Sequence, residues 1–514
     1  MNFDDPFYGY SFILRTIIYV VVPAFTAFQF FRLRRALHVF QLEGYKRDRF
    51  LQWCRANPKT ARFLKSLGNK KPLVMTGRAW RIIVTATVLN ALAALVLPGL
   101  AHVTEGYPWD LITWGVVTLL LFFGLPSLLT TADRLMAPVQ SAINSSFQRK
   151  ARARLDEAAP VVIGVTGSYG KTSTKFAIAG LLGDARTVFA TPGSYNTPMG
   201  VVRAINENLQ DDHRFVVIEM GAYREGDIAE LCDFARHTIA VLTAIGPAHL
   251  ERFGSMDAIK RAKYEIVQKL PRDGIAVMNT DDLNVRELAD RTTGVPVIRY
   301  GLDRSGEPNV TATEHSYSAE GTAATIVDAD GGELRIKTRL LGEHAIQFIL
   351  AGVAVARSLG VPLTQLGPRI AALEPVEHRL QLIKGTGGVT VIDDAFNSNP
   401  AGAAAALEVL ADLDLSEANQ IVVVTPGIVE LGELQAEANE RFGRHAATVA
   451  DHVIVVGRLN RDAIVRGATS GGQTLKAEIT VVDTLDEATQ RLRTLLKAGD
   501  VVLFENDLPD QYEV

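Results

Sequence analysis

The feature that most constrains the fold is a short apolar strand that leads into a glycine turn and then into a helical pattern. The turn reads TGSYGKTSTK over residues 166–175, and FAIAGLL follows it. A common phosphate-binding loop has the spacing G-x-x-x-x-G-K-[ST]. This turn lacks the first glycine of that pattern, because position 165 is Val165, and keeps Gly167-x-x-Gly170-Lys171-Thr172. Spacing alone therefore leaves two interpretations open, a phosphate loop or a glycine turn that happens to precede a lysine.

The order of strand, loop and helix favours the phosphate loop. Backbone N–H groups at the start of a helix, together with the helix dipole, attract phosphate. Gly167 and Gly170 would let the backbone approach a nucleotide closely. Lys171 is then predicted to reach the terminal phosphates, and the Thr172 hydroxyl is predicted to bind Mg²⁺.

Apolar strand-like runs alternate with helical patterns from residue 160 onward. Continuous apolar strands separated by helices predict a doubly wound, mostly parallel sheet of the α/β class. Ligands bind at the carboxyl ends of the strands in such sheets. Besides the loop, the polar residues found at these ends are Glu219, His249, Asn279 and Asp281.

A second α/β block starts near residue 380. Val389–Ile392 runs into Asp393-Asp394, and further apolar runs follow at 421–424, 452–456 and 501–504. They predict a smaller, Rossmann-like C-terminal domain. We therefore predict three parts, with boundaries listed in chain order: a membrane region at 1–135, a central ATP-binding P-loop domain at 158–374 and a C-terminal domain at 375–514.

Three apolar runs of about 20 residues predict the membrane region, because a helix of that length crosses the hydrocarbon core. They are Phe12–Phe31, Ile82–Ala101 and Leu111–Thr130. A buried core helix explains one such run but explains three poorly. Residues 32–81 carry 14 Lys and Arg residues, whereas 102–110 has none. The positive-inside rule then predicts three spans with the N-terminus outside and the later domains in the cytoplasm.

Composition excludes some other classes. The 514 residues have a formal charge of −4, so no global charge points to nucleic acid. The two cysteines, Cys54 and Cys232, cannot build a disulfide framework and have no zinc-type spacing. We expect two reduced thiols.

Each remaining candidate has an ordinary explanation when it is taken alone. Glu219, in IEMG, suits Mg²⁺ but also suits the cap of a following helix. His249, in GPAHLERFGS, is by default a loop histidine, and Lys263, in RAKYEI, is by default a solvated charge. Their order behind a phosphate loop makes them a joint signal.

Together these stretches resemble the Mur ligase family, the ATP-dependent amide-forming ligases of bacterial cell-wall synthesis. The resemblance covers about residues 160–505, and its matching stretches are VTGSYGKTSTK, TPGSYNTPMGV, VVIEMGA, IGPAHLERFGS, AKYEI, MNTDD, HRLQLI, VIDDAFNSNP and PGIVELGE. DDAFNSNP and ELGE point to the branch that adds D-alanyl-D-alanine to the UDP-muramoyl tripeptide.

The resemblance implies a role for each matching residue. Lys171, Glu219, His249 and Lys263 would be catalytic, and Mg²⁺ would be held by Thr172, Glu219, His249 and a carbamylated Lys263. Asn196 and Thr197 would face the acceptor substrate. The residues implied to bind ATP are Gly167, Ser168, Gly170, Lys171, Thr172, Ser173, Asn279, Asp281, Arg379, Asp393, Asn397 and Asn399.

The family also implies a reaction and its partners. The γ-phosphoryl group of ATP goes to a substrate carboxylate, and the amine of an amino acid or dipeptide attacks the acyl phosphate. The acceptor would be a peptidoglycan precursor, either UDP-linked or lipid-linked. Family and topology together predict a multi-pass protein of the bacterial cytoplasmic membrane, in contact with membrane lipid.

Two differences from the family affect these expectations. Three apolar runs stand where the family has a domain that grips UDP, which leads to the hypothesis that the acceptor is lipid-linked or presented at the membrane. The C-terminal strand ends in FENDLPDQY, where this branch usually has Lys-Gly-Ser. Glu505, Asn506 and Asp507 would suit an ammonium group, or they form a surface turn, so the amine donor stays open.

Three alternatives remain. A poly-γ-glutamate-type ligase resembles the central domain but matches less of the last one. A non-catalytic membrane scaffold for cell-wall enzymes would not need Lys171, Glu219, His249 and Lys263 all to be kept. A nucleoside triphosphatase motor is the weakest of the three.

Overall fold

The computed structural model describes residues 20–64, 72–104, 109–318, 320–396, 398–412, 420–470 and 477–508. The helices, numbered in chain order, are α1 Val22–Leu42, α2 Arg47–Ala56, α3 Gly77–Thr104, α4 Trp109–Phe123, α5 Leu125–Ala158, α6 Lys171–Leu182, α7 Pro198–Asn208, α8 Asp227–Ala235, α9 Leu250–Phe253, α10 Met256–Gln268, α11 Leu283–Arg291, α12 Glu343–Ser358, α13 Leu366–Ala371, α14 Pro400–Asp412, α15 Gln435–Val449, α16 Arg461–Thr469 and α17 Leu485–Leu495.

The strands form two sheets. They are β1 Val161–Thr166, β2 Val188–Ala190, β3 Phe215–Glu219, β4 Ile239–Leu242, β5 Ile275–Asn279, β6 Val297–Tyr300, β7 Val310–Ser318, β8 Gly321–Asp328, β9 Glu333–Thr338, β10 Gln381–Lys384, β11 Thr390–Asp394, β12 Ile421–Thr425, β13 His452–Val456, β14 Glu478–Val482 and β15 Val501–Glu505.

The central sheet is the predicted α/β sheet with an antiparallel extension. Its order is β2-β3-β1-β4-β5-β6-β7-β8-β9. The strands from β2 to β7 are parallel, whereas β7, β8 and β9 pair antiparallel, so the sheet is mixed. The inner strands are apolar along their whole length because both faces are covered, one by α6 and α12 and the other by helices such as α10.

The strand register brings the predicted site residues to one edge. Val165 pairs with Glu219, so Glu219 ends β3 beside the loop that follows β1. β4 and β5 end at the same edge, because the four strands are parallel neighbours. This is the carboxyl edge, where the sequence predicts the ligand site.

The second sheet has the order β10-β11-β15-β12-β13-β14. It is parallel except for β10, which pairs antiparallel with β11 at one edge. The sequence predicts β11, β12, β13 and β15 but misses β10 and β14, which are exposed or half-buried edge strands without a continuous apolar run. In this sheet Asp394 of β11 lies opposite Glu505 of β15.

The described residues before 147, which are 20–64, 72–104 and 109–146, form a compact unit of helices. Its core includes Leu37, Phe40, Phe50 and Ile82. Asp133 accepts hydrogen bonds from Arg47 at 2.7 Å and from Arg78 at 3.0 Å. This unit holds the runs that the sequence assigns to a membrane.

The prediction of three membrane helices is not supported. Among the described residues, one stretch, Gly77–Pro98, is long and apolar enough to cross a membrane. A second qualifies only if Leu111–Phe123 and Leu125–Ala158, which are bent by 79°, form one broken span. The predicted run Phe12–Phe31 lies partly outside the described residues.

The predicted run Leu111–Thr130 fails as a single helix for an identifiable reason. Gly124 and Pro126 interrupt it, and both residue types mark helix ends. The last carbonyl groups of α4 find partners on α1, because Gln29 donates to Leu121 O at 2.9 Å and Arg32 donates to Phe122 O at 3.0 Å. The broken helix end is therefore satisfied by side chains from a neighbouring helix.

Candidate active site

The glycine turn after β1 packs tightly against the end of β4. The Ser168 N–H donates to Ala244 O at 2.7 Å, and the Ser168 hydroxyl donates to Gly246 O at 2.9 Å. A Cβ on Gly167 would lie 2.0 Å from the Thr243 hydroxyl. Gly170 has a φ of +73°, a conformation that favours glycine. The turn therefore requires both glycines, and α6 begins directly after it.

Lys171 is the first residue of α6 and folds back over the turn. Its Nζ donates to Gly167 O at 2.9 Å and to Ser168 O at 3.1 Å. Burial lowers the pKa of Lys171, and Glu219 opposes that change. The ammonium group thus lies over the same backbone that would bind phosphate at a helix N-terminus.

Glu219 is the centre of the site and is almost fully buried. Its Oε1 accepts from Asn196 Nδ2 at 2.9 Å, and its Oε2 accepts from the Thr172 hydroxyl at 2.9 Å. Burial alone would raise the pKa of Glu219, but Lys171, Lys175 and these hydrogen bonds hold it below the usual range. Glu219 is therefore an ionised carboxylate that joins the phosphate-loop helix to the predicted acceptor loop.

His249 and Glu430 connect the two sheets. Glu430 follows β12, and its carboxylate accepts hydrogen bonds from His249 Nδ1 and from Arg252. The Arg252 guanidinium also lies 4.5 Å from the centre of the Tyr223 ring. Burial lowers the pKa of His249, and Glu430 opposes it. The predicted site histidine is therefore positioned by a residue of the C-terminal domain.

Replacing Glu430 by alanine should weaken this link. We expect about 10- to 100-fold lower kcat/KM for the ligase reaction. His249 and Arg252 would lose the contact that fixes their position relative to the C-terminal domain. Steady-state phosphate release would measure it, with the exposed Glu433→Ala as the matched control. An unchanged kcat/KM in Glu430→Ala would show that the link has no role in turnover.

Lys263 lies on α10 and is 3% exposed. It lines a small cavity of about 30 Å³ together with Lys171, Asn196, Gly221 and His249. Burial, followed by the charge of Lys171, lowers the pKa of Lys263 to about 7. It is therefore not the solvated lysine of the ordinary interpretation.

The predicted nucleotide-facing residues line a separate cavity of about 460 Å³, which Ser173 and Arg379 also line. Asn279 is buried, and its Oδ1 accepts from Asp281 N at 3.1 Å. The Asp281 carboxylate accepts from Leu302 N at 2.8 Å and from Gln347 Nε2 at 3.1 Å. Asp281 thus holds the turn that follows β6, while it borders the cavity.

The last predicted group comes from the C-terminal domain. Arg379 lies 4.5 Å from the centre of the Phe396 ring and lines the cavities beside Lys171 and beside Asn279. Asp393 pairs with His378 at 2.7 Å. Asn399 lies directly before α14, and its side chain accepts from Gly402 N at 2.9 Å. Asn397 lies outside the described residues.

The two predicted acceptor-facing residues differ in their surroundings. Asn196 donates to Glu219 and lines the 300 Å³ cavity that Lys171, Thr172 and His249 share. The Thr197 hydroxyl instead accepts from Gly200 N at 3.3 Å and caps α7. The structure therefore brings Asn196 to the phosphate loop and places Thr197 at the start of a helix.

Two of the three residues that replace Lys-Gly-Ser are buried. The Ser398 hydroxyl donates to Glu505, and the Ser398 N–H donates to Asn506 Oδ1 at 3.0 Å. Asn506 Nδ2 donates to Gly427 O at 2.5 Å. Burial and the neighbouring Asp394 raise the pKa of Glu505. Glu505 and Asn506 therefore brace the loop that carries Asn399, and the interpretation of a surface turn is wrong for both.

The donor atoms fit Mg²⁺ held jointly with a nucleotide. Thr172 and Glu219 offer a hydroxyl and a carboxylate oxygen, and Mg²⁺ usually takes one or two carboxylates and completes its shell with phosphate oxygens and water. In the part of the chain that the structure describes, no group of three or more His, Cys, Asp or Glu side chains is placed to hold a metal. His249 therefore does not complete a preformed metal cluster.

The sequence interpretation missed Lys175, Arg252 and Glu430. Lys175 stands in the quoted GKTSTK motif, and a second lysine one helical turn after Lys171 is a usable signal. Glu430 lies in the quoted PGIVELGE stretch, but its contact with His249 spans 181 residues of sequence. Spacing gives no means of pairing residues that far apart.

Comparison with known proteins agrees with this geometry. Residues 165–356 match the family described as Mur ligase middle domain, and residues 378–505 match the family described as Mur ligase, glutamate ligase domain. The UDP-N-acetylmuramoyl-tripeptide–D-alanyl-D-alanine ligase of Mycobacterium tuberculosis is 33% identical over 361 residues, which are 66% of this chain and 69% of that protein. The Bacillus subtilis ligase of the same name is 29% identical, over 70% and 76%.

Solved structures show the same likeness. MurF from Acinetobacter baumannii superposes with a TM-score of 0.63 at 26% identity, covering 72% of this chain and 78% of that one. MurF ligase from Thermotoga maritima, solved in complex with ADP, gives a TM-score of 0.62 at 29% identity, covering 71% and 80%. Phosphate loop, fold and relatives agree: the chain belongs to the Mur ligase family and is an ATP-dependent amide ligase that uses ATP and Mg²⁺.

Proposed function

We propose that this chain joins the carboxylate of a muramoyl-peptide precursor of peptidoglycan to the amine of an amino acid or dipeptide. One observation carries the proposal: Glu219 accepts hydrogen bonds both from Thr172 of the phosphate loop and from Asn196 of the neighbouring loop. A phosphoryl donor on one side and an acceptor on the other would then meet at one carboxylate. The relatives' names favour a UDP-N-acetylmuramoyl tripeptide and D-alanyl-D-alanine as the two substrates.

The proposed chemistry has two steps. First, an acceptor carboxylate oxygen attacks the γ-phosphorus of ATP, the bond to the β-γ bridging oxygen breaks, and ADP leaves. Second, the donor amine attacks the carbonyl carbon of the acyl phosphate. The bond from that carbon to the phosphate oxygen breaks, phosphate leaves, and the ammonium proton passes to water. The products are an amide, ADP and phosphate.

Different residues of the site would bind the phosphates, hold Mg²⁺ and close the cavity. Gly167, Ser168 and Gly170 shape the backbone that would bind the phosphates, and Lys171 would neutralise charge on the transferred group. Thr172 and Glu219 would hold Mg²⁺, which when bound stabilises charge on the phosphoryl oxygens. Arg379 and Asn399 reach the same cavity from the C-terminal domain, so closure of that domain would complete the site.

We also propose that Lys263 carries a carbamate. A lysine with a pKa of about 7 is partly neutral near neutral pH, and the neutral amine is the form that reacts with CO₂. The product would be an anion facing Lys171 across their shared cavity. Protein incubated with ¹³C-bicarbonate should show a carbamate carbon signal in wild type and in the exposed control Lys269→Gln, and none in Lys263→Gln. Equal signals in all three would contradict the assignment.

We also propose that the N-terminal region attaches the chain to a membrane. The stretch Gly77–Pro98 meets the length and hydropathy of a spanning helix, and Val84, Val88 and Leu92 on it are about half exposed. Trp80 is 50% exposed near the start of that helix, a position where interfacial tryptophans occur. We expect the full chain to stay in the membrane fraction at high salt and alkaline pH. Its release by alkaline carbonate alone would contradict insertion.

The domain boundaries remain part of the proposal. We assign residues 158–374 to the ATP-binding domain and residues 375–514 to the C-terminal domain, with a membrane region at 1–135. The link from His249 to Glu430 then joins the first two of these domains.

Substrate choice is tested with purified full-length protein in detergent. UDP-muramoyl tripeptide and its lipid-linked counterpart are supplied separately, each with and without D-alanyl-D-alanine, and the ligated product is identified by mass. Product that requires ATP and both substrates supports the proposal, and the acceptor that reacts shows which form is used. No product with either acceptor and a panel of amino acids would overturn it, and scaffold function would then be the better account.

A further inference from the structure

Lys175 is a buried cation that no step above uses. Its side chain is fully enclosed, and its Nζ lies 3.4 Å from Glu219 Oε2. The same Nζ donates to Gly193 O, on the loop that carries Asn196. Lys175 therefore contacts both the carboxylate at the centre of the site and the backbone of the acceptor loop.

Packing alone does not explain a lysine at this position. Enclosing an ammonium group costs free energy, and a well-packed apolar side chain of similar volume is often as stable. Thr172 and Asn196 already give each oxygen of Glu219 a hydrogen-bond donor. Lys175 adds to the charge of Lys171 a second positive charge, 3.4 Å from Glu219, together with a donor to Gly193.

The loop at 192–197 has few other anchors to the sheet. Gly221 N donates to Asn196 O at 2.8 Å, and Asn196 Nδ2 reaches Glu219. Gly193 and Tyr195 are exposed. A loop with this much exposed backbone orders only through such contacts. Lys175 provides the anchor that comes directly from the phosphate-loop helix.

Helix geometry connects Lys175 to the nucleotide end of the site. Lys175 follows Lys171 by four residues, so both side chains lie on the same face of α6. Phosphate bound at the start of α6 would engage Lys171, while Lys175 holds Glu219 and Gly193 one turn further on. The same helix thus contacts the carboxylate and the acceptor loop, and it would also contact the phosphoryl donor.

We propose that Lys175 is a positioning residue that couples nucleotide binding to the order of the acceptor loop at 192–197. Its ammonium group lies beside Glu219, where it competes with Mg²⁺ for the carboxylate, and it ties Gly193 to the phosphate-loop helix. This inference rests on the proposed function where it concerns the acceptor. The coupling itself concerns only Mg²⁺, ATP and the loop.

Two substitutions separate the charge from the hydrogen bond. Lys175→Met removes both, whereas Lys175→Gln removes the charge and keeps a donor. Without the cation, Glu219 should bind Mg²⁺ more tightly, so the half-saturating Mg²⁺ concentration should fall about threefold or more in both variants. The KM for the acceptor should rise about tenfold in Lys175→Met and less in Lys175→Gln. A purely structural role would lower kcat and leave both constants unchanged.

The deciding experiment is amide hydrogen exchange of the peptide that contains 193–197, with and without Mg²⁺ and a non-hydrolysable ATP analogue. Wild type and the exposed control Lys269→Met should show slower exchange when nucleotide is bound, and Lys175→Met should show no such change. Equal protection in Lys175→Met would overturn the inference. This readout needs no acceptor, so a wild type that fails to ligate would count against the proposed function and leave this test intact.

Discussion

Replacing Lys171 by alanine should abolish ATP-dependent ligation, lowering kcat by about 10³-fold or more. Lys171 is the cation of the turn itself, and it is folded over the carbonyl groups of Gly167 and Ser168. Phosphoryl transfer depends mainly on positioning and on neutralising charge, so loss of this cation should remove most of the rate. Phosphate release with both substrates present measures the effect.

The matched control for this variant is Lys269→Ala, an exposed lysine in a surface ion pair with Asp233. Surface ion pairs contribute little, so its turnover and melting temperature should match wild type. Lys171→Ala should keep the wild-type fold, seen as an unchanged far-UV spectrum. If it retained more than about a tenth of wild-type turnover, the assignment of this loop to phosphoryl transfer would be wrong.

Replacing Glu219 by glutamine should have the second large effect. A carboxamide is a weak Mg²⁺ ligand, and its NH₂ group would face donors that now point at carboxylate oxygens, from Asn196 on one side or from Thr172 and Lys175 on the other. We expect kcat to fall at least about 100-fold. The free energy of unfolding should fall by about 1–3 kcal/mol, because a buried donor is left without a partner.

Glu225→Gln is the control, since Glu225 is an exposed residue paired with Arg261 on the surface. Its activity and unfolding midpoint should be unchanged. Both effects in Glu219→Gln are measured on one preparation, by phosphate release across a Mg²⁺ series and by urea unfolding. Wild-type turnover at saturating Mg²⁺ in Glu219→Gln would remove the carboxylate from the mechanism.

The central part of this fold was predictable because its signals are local. A strand buried on both faces is a continuous apolar run, and its end is marked by the next polar residue, as at Glu219 and Asn279. The glycine turn is predictable because Gly167 has no room for a Cβ and Gly170 has a positive φ. Each of these features depends on a few adjacent residues.

The site contacts that the sequence did not predict join segments that are far apart along the chain. Glu430 contacts His249 across 181 positions, and Lys175 contacts Glu219 of β3 across 44 positions. Thr197 was expected at the acceptor, but it also stands directly before a proline that begins α7, which is a helix-cap signal.

In the N-terminal unit, too, local composition does not predict how the helices end and pack. An apolar run of about 20 residues satisfies the length rule for a membrane helix, but Gly124 and Pro126 divide one such run into two helices. Arg32, counted only as part of a basic segment, is buried and donates to Phe122 O. Counting charges along the chain does not distinguish a buried arginine from one at a membrane surface.

The most direct test of the ligase mechanism is the fate of the acceptor's carboxylate oxygen. UDP-muramoyl tripeptide, or the lipid-linked form if that reacts, is labelled with ¹⁸O in the carboxylate and incubated with ATP, Mg²⁺ and the amine donor. An acyl-phosphate mechanism predicts that the released phosphate carries one ¹⁸O atom from the acceptor, and that Lys171→Ala releases none. Ligation that yields unlabelled phosphate would contradict carboxylate attack on ATP and with it the role given to this site.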